Sequence, residues 1–199
     1  MARHGTQVLE RMHSTTVPTA SANRCWGADH CCRYDRGVTV KLSDELSLAP
    51  LGSTPRPLGE WLTTFHLATV VLDPYTNESS WVLRSAVRIL EALRGCHARV
   101  NLLVTADEAD TRRFLGPLAD QFLVFTDPDR AVVSDMGLTA LPAFVFVRVD
   151  GTVDATAQGW NPAEWRAVAD AITNTTAWRS PTIPEAGDPA PFAGSPAIA

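Results

Sequence analysis

The sequence lacks the features that define several common classes of protein. None of its four cysteines, Cys25, Cys31, Cys32 and Cys96, forms a C-x-x-C pair. Lys41 is the only lysine, and the net charge is −5 with no stripe of basic residues, so nucleic-acid binding is not expected. No apolar run approaches the roughly 18–20 residues of a membrane helix, and the N-terminus has no compact apolar stretch of a secretory signal. We therefore expect a cytoplasmic protein with reduced cysteines and without membrane or nucleic-acid partners.

Motifs for common cofactors and metals are also missing. The chain has neither a phosphate-binding loop nor the glycine fingerprint of dinucleotide-binding folds. Cys25, His30, Cys31 and Cys32 lie close together in sequence, but adjacent cysteines do not match the usual C-x-x-C spacing of zinc ligands. The sequence therefore predicts neither a cofactor nor a metal site.

Composition divides the chain into three parts. Residues 1–37 show neither a helix period nor a strand period and are poor in leucine, isoleucine and valine, which predicts a disordered or extraneous segment. Residues 38–173 alternate helical and strand patterns and form the predicted domain. Residues 174–199 form a Pro/Ala-rich C-terminal tail.

The composition of this tail favours an extended chain free of the domain. Residues 181–199 contain five of the fourteen prolines, which is typical of polyproline-like or disordered segments. Trp178, Ile183 and Phe192 are apolar residues that could anchor it instead, so a tail strapped across the domain stays the alternative.

Within the predicted domain, buried strands alternate with amphipathic helices. Strands are predicted at 66–72, 99–104, 122–125, 142–147 and 152–156. Helices are predicted at 58–65, 80–93 and 162–172, the last with Asn161 as its N-cap. A short helix follows the turn at 127–129 and ends near Gly137, and one more opens with a capping box at 105–108 and runs to about 118. Such alternation favours a mixed sheet with helices on both faces.

The segment around Pro142 is the most specific pattern in the chain. Proline precedes the apolar run Ala143–Val147, the pair Asp150-Gly151 closes that run, and an alternating segment begins at Thr152. The pattern predicts a β-hairpin with proline at its first strand position, where no ladder hydrogen bond is lost and a cis peptide bond costs little.

This hairpin resembles the Pro-strand-turn-strand signature of thioredoxin-like proteins, and the resemblance extends over residues 45–173. Leu58–Leu62 is similar to the entry into the first core strand of the branch that includes TlpA-type proteins and peroxiredoxins. Asp127, the run 136–142, Asp150-Gly151 and Gly159 match its C-terminal half. The resemblance implies an α/β fold, a thioredoxin-like three-layer sandwich with a central mixed β-sheet.

The chain departs from that family at the redox site. The family places its cysteines between the first core strand and the next helix. In this chain that junction is residues 73–82, and either Ser79 or Ser80 lies nearest the nucleophile position. A serine hydroxyl gains far less acidity from a helix N-terminus than a thiol does, and no histidine lies nearby in sequence. Asp73, in a position where thioredoxins use an acid for proton transfer, is expected to cap the turn instead.

The leading interpretation is therefore a non-catalytic binding or assembly module without the redox cysteine pair. A protein or peptide partner would bind in a groove between the helix start at Ser79, Ser80 and Trp81 and the loop at Leu141 and Pro142. Trp81 is itself expected in the core unless it forms an apolar patch at this groove.

Two alternatives stay open. A thiol-disulfide oxidoreductase or peroxidase-type antioxidant enzyme would use Cys96, the one cysteine of the predicted domain, whose expected role is otherwise a small packed residue at a helix C-terminus. A purely structural subunit would dock its proline-rich tail on a larger assembly.

Overall fold

A seven-stranded mixed sheet forms the centre of the protein in a computed structural model, which describes residues 40–198. The strands in chain order are β1 Ser47–Pro50, β2 Arg56–Pro57, β3 His66–Leu72, β4 Ala98–Val104, β5 Leu123–Thr126, β6 Ala140–Leu141, β7 Ala143–Val147, β8 Val153–Gln158 and β9 Ser195–Pro196. The helices are α1 Leu58–Leu62, α2 Asn77–Ala92, α3 Glu108–Leu115, α4 Ala131–Asp135 and α5 Pro162–Thr176.

The large sheet has the strand order β2-β1-β5-β4-β3-β7-β8, and β6 pairs with β9 in a separate two-stranded sheet. Strands β3, β4 and β5 run parallel, and α2 and α3 provide the crossovers that parallel neighbours require. The remaining pairs are antiparallel. This topology confirms the predicted mixed sheet.

Side chains of the central strands point alternately into two apolar layers. Ala68, Val70 and Leu72 of β3 pack in the layer that holds α2 and α5, whereas Leu67 and Val71 pack in the layer that holds α1 and α4. Burial on both faces is the reason why β3 has a nearly continuous apolar sequence. With helices on both faces, the architecture is the expected three-layer α/β sandwich.

The Pro142 segment forms the predicted hairpin from β7 and β8. Gly151 closes the turn by donating its N–H to the Arg148 carbonyl at 3.0 Å, and its φ of +80° lies in the region that favours glycine. The Leu141–Pro142 peptide bond is cis.

One predicted helix start is confirmed. The side chain of Asn161 accepts a hydrogen bond from the Ala163 N–H at 3.1 Å, so Asn161 caps α5 as its sequence context indicates.

Two other predicted helix starts are wrong. The cap of α3 is Asp107, which accepts from the Asp110 N–H at 2.9 Å, and not a capping box that begins at Thr105. Thr105 still belongs to the strand edge, since its N–H donates to the Leu72 carbonyl at 3.0 Å. Helix α2 begins at Asn77 rather than at Ser80, which places Ser79 inside the first turn.

In the described part of the chain, no helix is both long enough and apolar enough to cross a membrane. The expected cytoplasmic location stays a prediction. The segment 1–37, with its cluster of Cys25, His30, Cys31 and Cys32, lies outside the described residues.

Candidate functional site

The edge strand β6 precedes Pro142 and is fixed by the side chain of Gln158. The Gln158 Oε1 atom accepts hydrogen bonds from the N–H groups of Thr139 and Ala140, at 2.7 and 2.8 Å. The Pro142 carbonyl accepts from the Gly159 N–H at 2.8 Å. These bonds hold the backbone of 139–142 in one position, with Leu141 and Pro142 both buried.

An extended segment of the chain's own C-terminus occupies this edge. In the antiparallel pair β6–β9, Ala140 lies opposite Pro196 and Leu141 lies opposite Ser195. The Ala197 N–H also donates to the Thr139 carbonyl at 2.9 Å, and Ala197 is fully buried. The tail is therefore packed on the domain, and the favoured expectation of a free tail is wrong, because composition does not reveal a pairing made by main-chain groups.

Aromatic side chains and further main-chain bonds extend this contact toward α2. Trp160 and Phe192 exchange two hydrogen bonds, with N···O distances of 2.8 and 2.9 Å, and the Trp160 indole donates to the Pro189 carbonyl at 2.9 Å. The Phe192 ring meets Trp81 edge to face, with 5.6 Å between centroids. Trp160 is fully buried, whereas Trp81 is 56% exposed and is not the core residue that the sequence led us to expect.

Two glycines allow the tail to approach the domain closely. A Cβ atom on Gly159 would lie 2.5 Å from the carbonyl carbon of Ala193, and one on Gly194 would lie 2.6 Å from the Leu141 oxygen. Both residues also have positive φ angles, +67° and +86°. A side chain at either position is incompatible with the observed contact.

Acidic side chains of the tail form a second attachment, on α2. The Arg88 guanidinium contacts Asp188 at 2.9 Å and Glu185 at 3.2 Å, and the Ser85 hydroxyl donates to Asp188 at 2.6 Å. Burial acts to raise the pKa of Asp188. The hydrogen bonds from Ser85, the Glu185 N–H and Arg88 outweigh this effect and hold the pKa below its ordinary value.

Asp73 lies at the end of β3 and caps the following turn, as expected, by accepting from the Tyr75 N–H at 3.0 Å. It also forms an ion pair that the sequence did not indicate, with Arg130, at 2.8 Å. A second guanidinium nitrogen of Arg130 donates to the Ala197 carbonyl at 2.6 Å. Arg130 therefore links the end of β3 to the tail.

Ser79 and Ser80, the two serines that the sequence leaves as alternatives for the nucleophile position, differ in their burial and bonding. Ser79 is fully buried, and its hydroxyl oxygen accepts from the Asp73 N–H at 2.9 Å, while Ser80 is exposed. The Thr76 hydroxyl, at 3.4 Å, is the other hydrogen-bond partner of the Ser79 hydroxyl within residues 40–198. With no base bonded to it in this region, Ser79 has a structural bonding pattern and not that of an activated nucleophile.

Cys96 is far from this edge and is poorly suited to thiol chemistry. It follows the C-terminal end of α2, whose 16 residues span about 24 Å, whereas Ser79 lies in the first turn. Its side chain is buried, with the residue 6% exposed, and burial raises the pKa of the thiol. Both properties oppose the exposed, low-pKa thiol that a redox nucleophile requires.

In the region that the structure describes, no three histidine, cysteine, aspartate or glutamate side chains are grouped to hold a metal ion. The groups that converge at β6 are main-chain N–H and C=O groups, aromatic rings and the Arg130 guanidinium. This arrangement is suited to holding an extended polypeptide.

Fold and site together define a thioredoxin-like α/β protein whose helix start carries serine. The thioredoxin domain of a thiol-disulfide oxidoreductase from Bacteroides vulgatus is similar, with 11% identity, a TM-score of 0.52, and coverage of 68% of this chain and 98% of that chain. The bacterioferritin comigratory protein of Xanthomonas campestris has 13% identity, a TM-score of 0.52 and coverages of 70% and 94%. The exposed lipoprotein thioredoxin of Streptococcus pneumoniae has 16% identity, a TM-score of 0.50 and coverages of 66% and 97%.

At these identities the likeness establishes the fold and leaves the activity open. No protein-family model and no curated protein sequence matches this chain. The expected thioredoxin-like fold is thus confirmed, and the function rests on the chemistry of the site itself.

Proposed function

We propose that this protein is a non-catalytic thioredoxin-like module that binds an extended polypeptide segment at β6, next to Pro142. The observation that carries the proposal is the pairing of β6 with β9, which also means that the groove is not open as expected and that an external partner has to replace the chain's own tail. This edge already holds a polypeptide strand through main-chain hydrogen bonds, and the segment it holds is short and composed mostly of small residues.

Strand addition suits a binding module because the affinity comes from backbone groups. An antiparallel strand offers N–H and C=O groups to any extended partner, and neighbouring pockets then select side chains. At this edge the selecting surfaces are the buried position of Ala197 and the aromatic ring of Trp81. The partner class is therefore an extended protein segment with small side chains and an aromatic residue on its N-terminal side.

The bonding of Ser79 supports a role without redox chemistry. Ser79, one of the two serines nearest the nucleophile position of the family that this chain resembles, accepts a hydrogen bond from the Asp73 N–H. A hydroxyl used in this way holds the loop before α2 against the end of β3. It offers neither a thiolate nor a partner sulfur for disulfide exchange.

The competing function is a thiol oxidoreductase that uses Cys96. Similar solved structures include a thiol-disulfide oxidoreductase and a protein studied for alkyl peroxide reduction, which is the reason to consider this function. At identities of 11–16%, however, the similarity supports only the fold. The raised thiol pKa and the burial of Cys96 weigh against it.

Turnover assays separate the two functions. The full chain, its Cys96→Ser variant and a variant with serine at positions 25, 31 and 32 would be compared in insulin-disulfide reduction and alkyl-peroxide consumption. We expect no turnover above buffer in any of the three. Activity abolished by Cys96→Ser would establish the oxidoreductase, and activity abolished only in the triple variant would refute the non-catalytic role through the N-terminal cysteines.

A further inference from the structure

We propose that residues 189–198, the C-terminal segment, are a displaceable intramolecular ligand that keeps the β6 edge closed until an external strand replaces them. The inference rests on the proposed function, since it assigns a regulation to the same edge. Three features of the contact support it: the kind of bond at each attachment, the chain between the attachments, and the close approach of two glycines.

The two attachments of the tail differ in their chemistry. At α2 the contact depends on specific charged side chains, Arg88 with Asp188 and Glu185. At β6 the tail contributes mainly its main-chain groups, with the Ala197 N–H on the Thr139 carbonyl and the Ala197 carbonyl on the Arg130 guanidinium, and the Phe192 ring against Trp81 is the one aromatic contact named beside them. Main-chain bonds are equally available to another extended polypeptide, so the β6 contact can be exchanged while the α2 contact is kept.

The chain between these attachments is short and rich in proline. Pro189 follows Asp188 directly, and Pro191 immediately precedes Phe192, which forms a bridge with Trp160. The α2 attachment therefore keeps the released segment close to its site. A tether this short gives an effective concentration on the order of millimolar, which a free partner must overcome.

The glycine contact defines what can replace the tail. An occupant needs glycine where Gly194 stands, because a Cβ there would lie 2.6 Å from the Leu141 oxygen. Three residues later it needs a small side chain, since Ala197 is fully buried. Pro196 between them is exposed and tolerates substitution. The external partner is therefore an extended segment with glycine at the position of Gly194 and a small side chain, such as alanine, three residues later.

A peptide-binding experiment on the full chain tests the inference. The probe is a fluorescently labelled peptide with the sequence of residues 189–198, and a second probe carries alanine in place of its glycine. The proteins are wild type, Gly194→Ala and Gly187→Ala. Gly187 is the matched control, because it lies in the same tail with a φ of +96° but has no atom within 4 Å of its Cβ position.

Hydrogen exchange at the Phe192 and Ala197 amides reports whether the segment has left the edge. We expect Gly194→Ala to lose protection at these two amides, to keep it in β3 and β7, and to bind the glycine-containing peptide at least about tenfold more tightly than wild type or Gly187→Ala. The alanine-containing peptide is expected not to bind.

The remaining outcomes of this experiment would contradict either the inhibitory role of the tail, the proposed function or the close glycine contact. Equal peptide affinity in Gly194→Ala and wild type would overturn the inhibitory role of the tail and leave the proposed function intact. An exposed edge that binds neither peptide would overturn the proposed function as well. Retained protection at both amides would refute the close glycine approach, and loss of protection in β3 and β7 would show that the segment is an integral part of the fold.

Discussion

The guanidinium of Arg130 forms an ion pair with the carboxylate of Asp73 at the end of β3, with 2.8 Å between Nη2 and Oδ2. The carboxylate is almost fully enclosed, with 4% of the side chain exposed, whereas 23% of the arginine side chain is exposed. Arg130 has a φ of +55°, which L-residues with side chains adopt at a cost. Its second bond, to Ala197, makes the same side chain part of the tail contact.

Two substitutions of Arg130 separate the contribution of its ion pair with Asp73 from the cost of its positive φ angle. Arg130→Ala leaves the Asp73 carboxylate buried without its counter-charge, and we expect a loss of about 2–3 kcal/mol in unfolding free energy, less than for a fully buried pair because the guanidinium is partly exposed. Arg130→Gly removes the same charge but relieves the positive φ, so it should cost about 1 kcal/mol less. Urea denaturation of both variants measures the difference. Equal losses would contradict a contribution from backbone strain.

Replacing Ser79 tests whether its hydroxyl is structural. Ser79→Ala removes the acceptor of the buried Asp73 N–H, and an unsatisfied buried donor costs about 1–3 kcal/mol. Ser80→Ala is the matched control, one residue away in the same helical turn but exposed, and should change stability by less than about 0.5 kcal/mol. Urea denaturation compares the two. Similar small effects would mean that another group satisfies the Asp73 amide.

The attachment of the tail to α2 should weaken in acid. Because the folded state holds the pKa of Asp188 below its ordinary value, its charge contributes stability that is fully present above that ordinary value. This contribution is lost as the pH falls through the lowered folded-state pKa. Wild type should therefore exceed Asp188→Asn in thermal stability at pH 7, and the difference should shrink progressively as the pH falls below the ordinary pKa of aspartate. A stability difference independent of pH would show that the carboxylate charge does not stabilise the attachment.

The thiol of Cys96 should react slowly in the folded protein. Burial raises its pKa, so little thiolate forms at neutral pH and reagents have poor access. Iodoacetamide labelling followed by peptide mass spectrometry measures this site separately from the other three cysteines. We expect labelling at least about tenfold slower than in urea, where the cysteine is exposed. Native labelling as fast as in urea would support the Cys96 oxidoreductase.

The central elements of the fold followed from local sequence signals. The apolar run of β3, the helical spacing in α2 and the Asp150-Gly151 turn each have a period or a turn residue that acts over a few positions. The short strands β1 and β2 escaped prediction because their residues, including Pro50 and Pro57, carry no alternating pattern. Their strand character comes from pairing with β5 and with each other.

The candidate site was predicted only in part. The resemblance predicts that Leu141, Pro142 and Trp81 lie at one edge, because the strand ends and the helix start converge there in the fold of that family. The burial of Ser79 and the ion pair of Asp73 with Arg130 could not be predicted, because hydrogen-bond partners six and 57 residues apart leave no pattern in the sequence.

By itself, the sequence determined the layered α/β architecture, the proline hairpin and the serines at the start of α2, because periodicity, turn chemistry and residue identity are local properties. Only the tertiary structure decided where the tail lies. Residues 193–197, which are alanine, glycine, serine and proline, have almost no side-chain signal, and their position depends on main-chain bonds to β6 and on the absence of Cβ atoms at Gly159 and Gly194. Whether the edge is open or closed is therefore a property of the folded chain.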